Sequence, residues 1–245
     1  MKLKFSGKYV LVLGGSCETA LCLAKLLIES QLSPILSYRT HEGRMRINSF
    51  LSPDFSDQYE TIHLDFSRQD TITTLENTTW QNLDYVVDFI QGNYESLIPG
   101  ACHQSIVDYI TSNLTNRAVL LQKISRAMLA RRKGRLVYIS STAASKQNPG
   151  QGFYAATKQA SETIYRNIGI EMGDRGVTTV SLRLGYIDAG RGKNFLETQP
   201  KMKRYGLSPI QVAESIMFFL SDSAIGFNAT ELILDKGLVA SKGYV

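Results

Sequence analysis

Seven short apolar runs separated by helix-length segments predict an α/β fold with a doubly wound, mainly parallel sheet. Three observations support this. The strand candidates are near-continuously apolar and rich in β-branched residues, as strands covered on both faces must be. The segments between them carry apolar residues at helical spacing. Across all 245 residues there is no internal repeat, low-complexity tract or Ser/Gly/Pro linker, so residues 1–245 read as one domain. The expected architecture is Rossmann-type: seven strands with helices on both faces.

Residues 9–13, 35–38, 61–64, 85–89, 136–139, 178–183 and 231–234 read as the strands. Residues 18–29, 101–130, 153–172 and 209–221 read as helices. Ser208 followed by Pro209 supplies an N-cap and a first-turn proline for the last of these. Asp174–Gly176 closes the helix before it. Residues 189–207 are polar and basic with glycines near both ends, and read either as a lid or as a structureless solvated loop.

Composition narrows the function. The chain is 43% hydrophobic and 20% charged, with a net charge of +5. No apolar run approaches the ~18 residues of a membrane span. The stretch 9–28 resembles a leader only superficially, since Glu18 and Lys25 interrupt it. The mild positive charge permits an acidic partner, but no basic tract interleaved with aromatics points to nucleic acid. The three cysteines, Cys17, Cys22 and Cys102, match no zinc or redox spacing and read as small buried hydrophobes in a reducing cytoplasm. No metal site is expected.

The chemistry-bearing pattern lies in Gly152-Phe153-Tyr154-Ala155-Ala156-Thr157-Lys158. A helix brings positions i and i+4 onto one face, so Tyr154 and Lys158 stand together. The ammonium is expected to favour the phenolate and lower the tyrosine pKa, fitting the phenol for proton delivery near neutral pH. Ser141 lies thirteen residues before Tyr154, and Asn113 lies twenty-eight before Ser141. This Asn/Ser/Tyr/Lys spacing resembles the short-chain dehydrogenase/reductase family, and within it most resembles the 3-oxoacyl-acyl-carrier-protein reductases. The resemblance runs from Gly7-Lys8 to Leu234-Asp235-Lys236-Gly237.

That resemblance implies a nicotinamide cofactor, which the first strand-to-helix turn would hold. The family's T-G-x-x-x-G-x-G reads Leu13-Gly14-Gly15-Ser16-Cys17-Glu18-Thr19-Ala20 here. Gly14 is kept, with Ser16 and Thr19 alongside as cofactor contacts, while the second and third glycines are Glu18 and Ala20. A carboxylate at position 18 is expected to repel a diphosphate by a few kcal/mol unless it swings outward or pairs with a cation. The family's N-N-A-G reads Asp88-Phe89-Ile90-Gln91. Its P-G-x-I-x-T reads Leu184-Gly185-Tyr186-Ile187-Asp188-Ala189, keeping Gly185 and Ile187 as cofactor contacts. Asp65 matches the acid that meets the adenine, or else caps the following segment. Arg39, with no acid at the end of the second strand, suits a 2′-phosphate and favours NADPH.

The roles implied by the resemblance follow. Ser141 donates to the developing alkoxide, Tyr154 gives the proton, Lys158 tunes Tyr154 and holds the nicotinamide ribose, and Asn113 orders a water that feeds Lys158. Ser140 is structural. The expected reaction is NADPH-dependent reduction of a 3-oxoacyl thioester. The acyl group would arrive on an acyl carrier protein docked at Arg132 and Arg175, unless these are ordinary helix-end cations. A homotetramer is implied. The competing reading is a cofactor-impaired subunit of the same fold, working in a hetero-oligomer with a related reductase or synthase protein.

Overall fold

A computed structural model describes residues 2–51, 53–73 and 80–241. In chain order the principal elements begin with β1 (Tyr9–Leu13), α1 (Glu18–Glu29), β2 (Ser33–Tyr38), α2 (His41–Phe50), β3 (Glu60–His63), α3 (Gln69–Thr73) and β4 (Tyr85–Asp88). They continue with α4 (His103–Ile110), α5 (Asn116–Arg131), β5 (Gly134–Ser141), α6 (Gly152–Met172), β6 (Val177–Leu184), α7 (Gly190–Thr198), α8 (Pro209–Leu220), β7 (Thr230–Leu234) and α9 (Leu238–Ser241). The strands form one seven-stranded sheet in the order β3-β2-β1-β4-β5-β6-β7. Every pairing is parallel.

Period-2 alternation decides which side chains face which layer. Val10 and Val12 of β1 join the core under α1 and α8, with Leu23, Leu27, Val212 and Ile216. Leu11 and Leu13 join the opposite core with Leu120, Ile124, Tyr165 and Ile168 of α5 and α6. The sheet is thus covered on both faces, as the apolar strands require. The chain reverses direction across the sheet between β1 and β4, which opens a crevice at the carboxyl ends of these strands.

Three segments depart from expectation. The helix expected over 101–130 is broken: α4 ends at Ile110, a π-helical turn spans Thr111–Thr115, and α5 follows. Residues 189–207 are not structureless. They form α7 and a 3₁₀ segment, Pro200–Tyr205, tied back by a bridge between Ile187 and Leu207. Helix α2 was not foreseen. It is capped by Thr40, whose hydroxyl accepts a bond from the Gly43 amide, and it buries only Ile47. A single buried position gives too weak an apolar stripe to read from sequence.

Candidate active site

The loop from β1 into α1 is shaped by its glycines. Gly14 has φ of +76°, a conformation that L side chains avoid. A Cβ on Gly15 would meet the Leu36 Cβ at 2.8 Å. The Ser37 hydroxyl accepts from the Gly14 amide at 2.8 Å. These contacts close the turn against β2 and start α1 with Glu18 as its first residue. Thr19 is buried, Ser16 is half-buried and Glu18 is exposed.

At the other end of the crevice the tetrad positions come from three elements. Ser141 ends β5, and its hydroxyl accepts from the Ala143 amide at 3.2 Å. Tyr154 and Lys158 lie one turn apart near the start of α6. Lys158 is buried and donates to the Ile139 carbonyl at 2.7 Å. Its ammonium stands 5.0 Å from the Tyr138 ring centre and 5.9 Å from that of Tyr154. Burial first, and the Arg117 charge second, pull the Lys158 pKa down to about 7. The Tyr154 phenol moves up rather than down: burial pushes it, and a hydrogen bond with Ser141 and the Arg191 charge pull against the push. The expectation of a lowered tyrosine is therefore not met in this geometry. A lysine whose own charge is depressed, and which points to a carbonyl, gives the phenolate little support.

Asn113 sits inside the π-helical turn. Its side-chain carbonyl accepts from the Gly92 amide at 2.6 Å, and its amide nitrogen donates to the Tyr109 carbonyl at 2.9 Å. Its main-chain carbonyl accepts from Arg117. Arg117 is an unforeseen feature, an arginine with no exposed side-chain surface paired with an equally buried Asp88 at 2.8 Å. The guanidinium also donates to Ser161 at 3.2 Å and to the Ile90 carbonyl. Asp88 in turn accepts from the Tyr165 hydroxyl at 2.9 Å and the Ile90 amide at 2.9 Å. The signal was present in sequence as an acid in the N-N-A-G segment and a lone arginine before the apolar Leu120-Leu121. Nothing local joins the two.

A cleft of about 310 Å³ links these ends, from Cys17, Glu18 and Thr19 to Ser141, Tyr154 and Lys158. Gly185 and Ile187 line it as expected, and a Cβ on Gly185 would meet the Asp235 Cβ at 2.8 Å. Sequence reasoning missed Arg46 of α2, Gln91 and Arg191 of α7 in its walls. Arg191 donates to the Asn93 side chain and lies 3.9 Å from Glu95, which ties α7 to the loop after β4. The nicotinamide side of a dinucleotide fits this cleft on two counts. The volume lies at the lower end of the usual range for small-molecule sites. In addition, Gln91 Oε1 and Ser140 Oγ are buried in the cleft with no protein partner, the condition of polar atoms that await a ligand or solvent.

Arg39 and Asp65 lie outside the cleft, at and just beyond the carboxyl ends of β2 and β3. Arg39 is exposed. The Asp65 carboxylate accepts from the Ser67 amide at 2.9 Å and the Ser67 hydroxyl at 2.7 Å, so it does cap the following turn. Arg132 and Arg175 are exposed and adjacent, since a Cβ on Gly176 would strike the Arg132 carbonyl. Both sit at the amino ends of β5 and β6. That is about 23 Å below Ser141 at roughly 3.3 Å per residue.

Comparison with known proteins agrees with this geometry. The short chain dehydrogenase profile matches residues 8–200. The chain therefore belongs to the short-chain dehydrogenase/reductase family, a class of NAD(P)-dependent oxidoreductases. The chain is 24% identical over 243 residues to the 3-oxoacyl-[acyl-carrier-protein] reductase FabG of Vibrio harveyi, covering 96% of this chain and 99% of that one. A 3-oxoacyl-[acyl-carrier-protein] reductase of Synechocystis sp. is 30% identical over 142 residues, and the match spans 56% of each chain. Among solved structures, a putative betaketoacyl-ACP reductase superposes with a TM-score of 0.83 at 22% identity, covering 98% of this chain and 100% of its own. Levodione reductase superposes at 0.85 with 21% identity, covering 97% and 100%. Among the described residues, no helix is long and apolar enough to cross a membrane.

Proposed function

We propose that this chain reduces a 3-oxoacyl thioester to its 3-hydroxyacyl form with NADPH, the acyl group being carried by an acyl carrier protein. The observation that carries the reading is the convergence of Ser141, Tyr154 and Lys158 on one cleft that also reaches the glycine turn. The names borne by distant full-length relatives supply the substrate class.

NADPH, when bound, supplies the hydride. The Ser141 hydroxyl then donates to the carbonyl oxygen as negative charge grows there. Tyr154, which lines the cleft with Ser141, delivers the proton to the same oxygen. Lys158, held at about 7, carries a proton for part of the time at neutral pH and can return one to Tyr154. Gly14, Ser16, Thr19, Gly185 and Ile187 hold the cofactor together with Tyr154 and Lys158, and Arg39 and Asp65 meet its adenosine end. Arg132 and Arg175 offer the acidic carrier a docking pair. Their distance from Ser141 means that a docked carrier feeds this cleft through its flexible arm, or feeds the cleft of a neighbouring subunit in a tetramer.

The test is NADPH oxidation by the purified protein with acetoacetyl groups on carrier protein and on coenzyme A. Turnover, faster with the carrier, is expected. Tight NADPH binding without turnover of either substrate would remove the substrate class. No binding at all would favour the cofactor-impaired, hetero-oligomeric subunit that Glu18 in the cleft wall brings to mind.

A further inference from the structure

Glu18 opens α1 and lines the cleft where a diphosphate would approach the glycine turn. A carboxylate there repels that group. The structure places a cation at the same spot from a different element. Helix α2 leans directly on the turn, since a Cβ on Gly43 would come 3.3 Å from the Ser16 hydroxyl oxygen. The helix is fixed there by the Thr40 cap, at 3.1 Å from the Gly43 amide, and by Ile47, which is fully buried. One turn beyond Gly43, on the same helix face, Arg46 lines the cleft beside Cys17, Glu18 and Thr19. Its charge reaches the turn, where it favours the thiolate of Cys17, a residue that is exposed rather than buried as the sequence suggested.

We propose that Arg46 is the diphosphate-binding cation of this chain, delivered by α2 to offset Glu18 and to replace the close backbone approach lost with the second glycine. The inference rests on the NADPH reading above and extends it to a residue outside the glycine turn. It makes the change at position 18 one half of an exchange rather than a loss of binding. Arg46 differs from Arg39 in what it reads. The diphosphate is common to NADPH and NADH, so Arg46 serves both cofactors equally, whereas a 2′-phosphate contact serves only NADPH.

The test is the equilibrium affinity of the full-length protein for NADPH and NADH, read by cofactor fluorescence or calorimetry. The proteins compared are the parent, Arg46→Met, Glu18→Gly and the double variant. Arg46 is exposed, so an unchanged thermal midpoint checks that the fold is intact. Arg46→Met is expected to weaken both cofactors about tenfold or more, by the same factor, with the loss shrinking as salt rises. In the Glu18→Gly background the same change should cost less than about threefold, because the backbone amides can then approach the diphosphate and share the contact with Arg46. A loss confined to NADPH would place Arg46 at the 2′-phosphate and overturn the proposal. So would a loss under twofold, or equal losses in both backgrounds. A parent protein that binds neither cofactor would overturn the NADPH reading itself, an outcome distinct from a parent that binds and a variant that binds equally well.

Discussion

The two ends of the cleft teach different things. The end read as catalytic matches its sequence spacing in space: Ser141 closes β5, and Tyr154 and Lys158 stand a turn apart on α6. The cofactor end and the adjoining tip of β4 depart at Glu18, Asp88 and Gln91, yet each departure has a structural answer. Asp88 meets Arg117, Glu18 shares its wall with Arg46, and the Gln91 amide nitrogen donates to the Tyr109 hydroxyl at 2.7 Å and the Thr157 hydroxyl at 3.2 Å. A motif is a one-dimensional summary of a three-dimensional contact set. When one member changes, its partner can change far away in sequence.

The largest effect should come from breaking the best-answered departure. Asp88→Asn leaves the Arg117 charge fully buried and short of its carboxylate, which should cost about 3–5 kcal/mol of stability. The double change Asp88→Asn, Arg117→Met should recover most of that loss in denaturant unfolding. Additive losses would show that the two residues act independently. At the other end, Tyr154→Phe removes the proposed proton donor while keeping the ring. It should lower kcat about a hundredfold or more, with NADPH still bound and the unfolding midpoint unchanged. Parental turnover in this variant would place the proton donor elsewhere.

Lys158 links the two ends through its charge. Its pKa falls from an ordinary 10.5 to about 7, so between those values the unfolded chain binds more protons than the folded one. Stability from this site therefore rises with pH across the window. The penalty of burying the ammonium is full below about 7 and fades above it. Lys158→Met should accordingly gain stability over the parent at pH 7 and lose part of that advantage by about pH 9. A gap that stays constant from pH 7 to pH 9 would show that the lysine is charged in the fold throughout. The smallest expected effect lies at the rim. Arg39→Asp should cut the preference for NADPH over NADH by about tenfold, roughly 1.4 kcal/mol. Equal affinities in the parent would remove Arg39 from the 2′-phosphate site.

The fold was legible in sequence because it rests on local spacing. Near-continuous apolar runs set the strands to within a few residues, and the i, i+4 relation put Tyr154 and Lys158 one turn apart on α6. Helix α2 was not legible, since it buries only Ile47. The break at Asn113 was not legible either, because the helical pattern runs through it without proline or glycine. It is marked by contacts with Gly92 and Arg117, one on another segment and one a turn ahead. The pairing of Asp88 with Arg117 joins β4 to α5, and no periodicity within either element reports it. The lowered tyrosine failed for a related reason: adjacency on a helix gives proximity, but burial decides how much charge the lysine keeps.

The Asp88–Arg117 pair also bears on how such a chain can change over generations. The partners lie 29 residues apart, so independent mutations must reach both. A single step from Asp88 to the asparagine of N-N-A-G passes through a protein with a stranded charge at its centre, and selection would remove that step before the second arrived. Once acquired, the pair acts as a ratchet. Descendants inherit an altered β4 segment that looks eroded in an alignment of that stretch alone, though it is held in place by a counterpart that such an alignment never reaches.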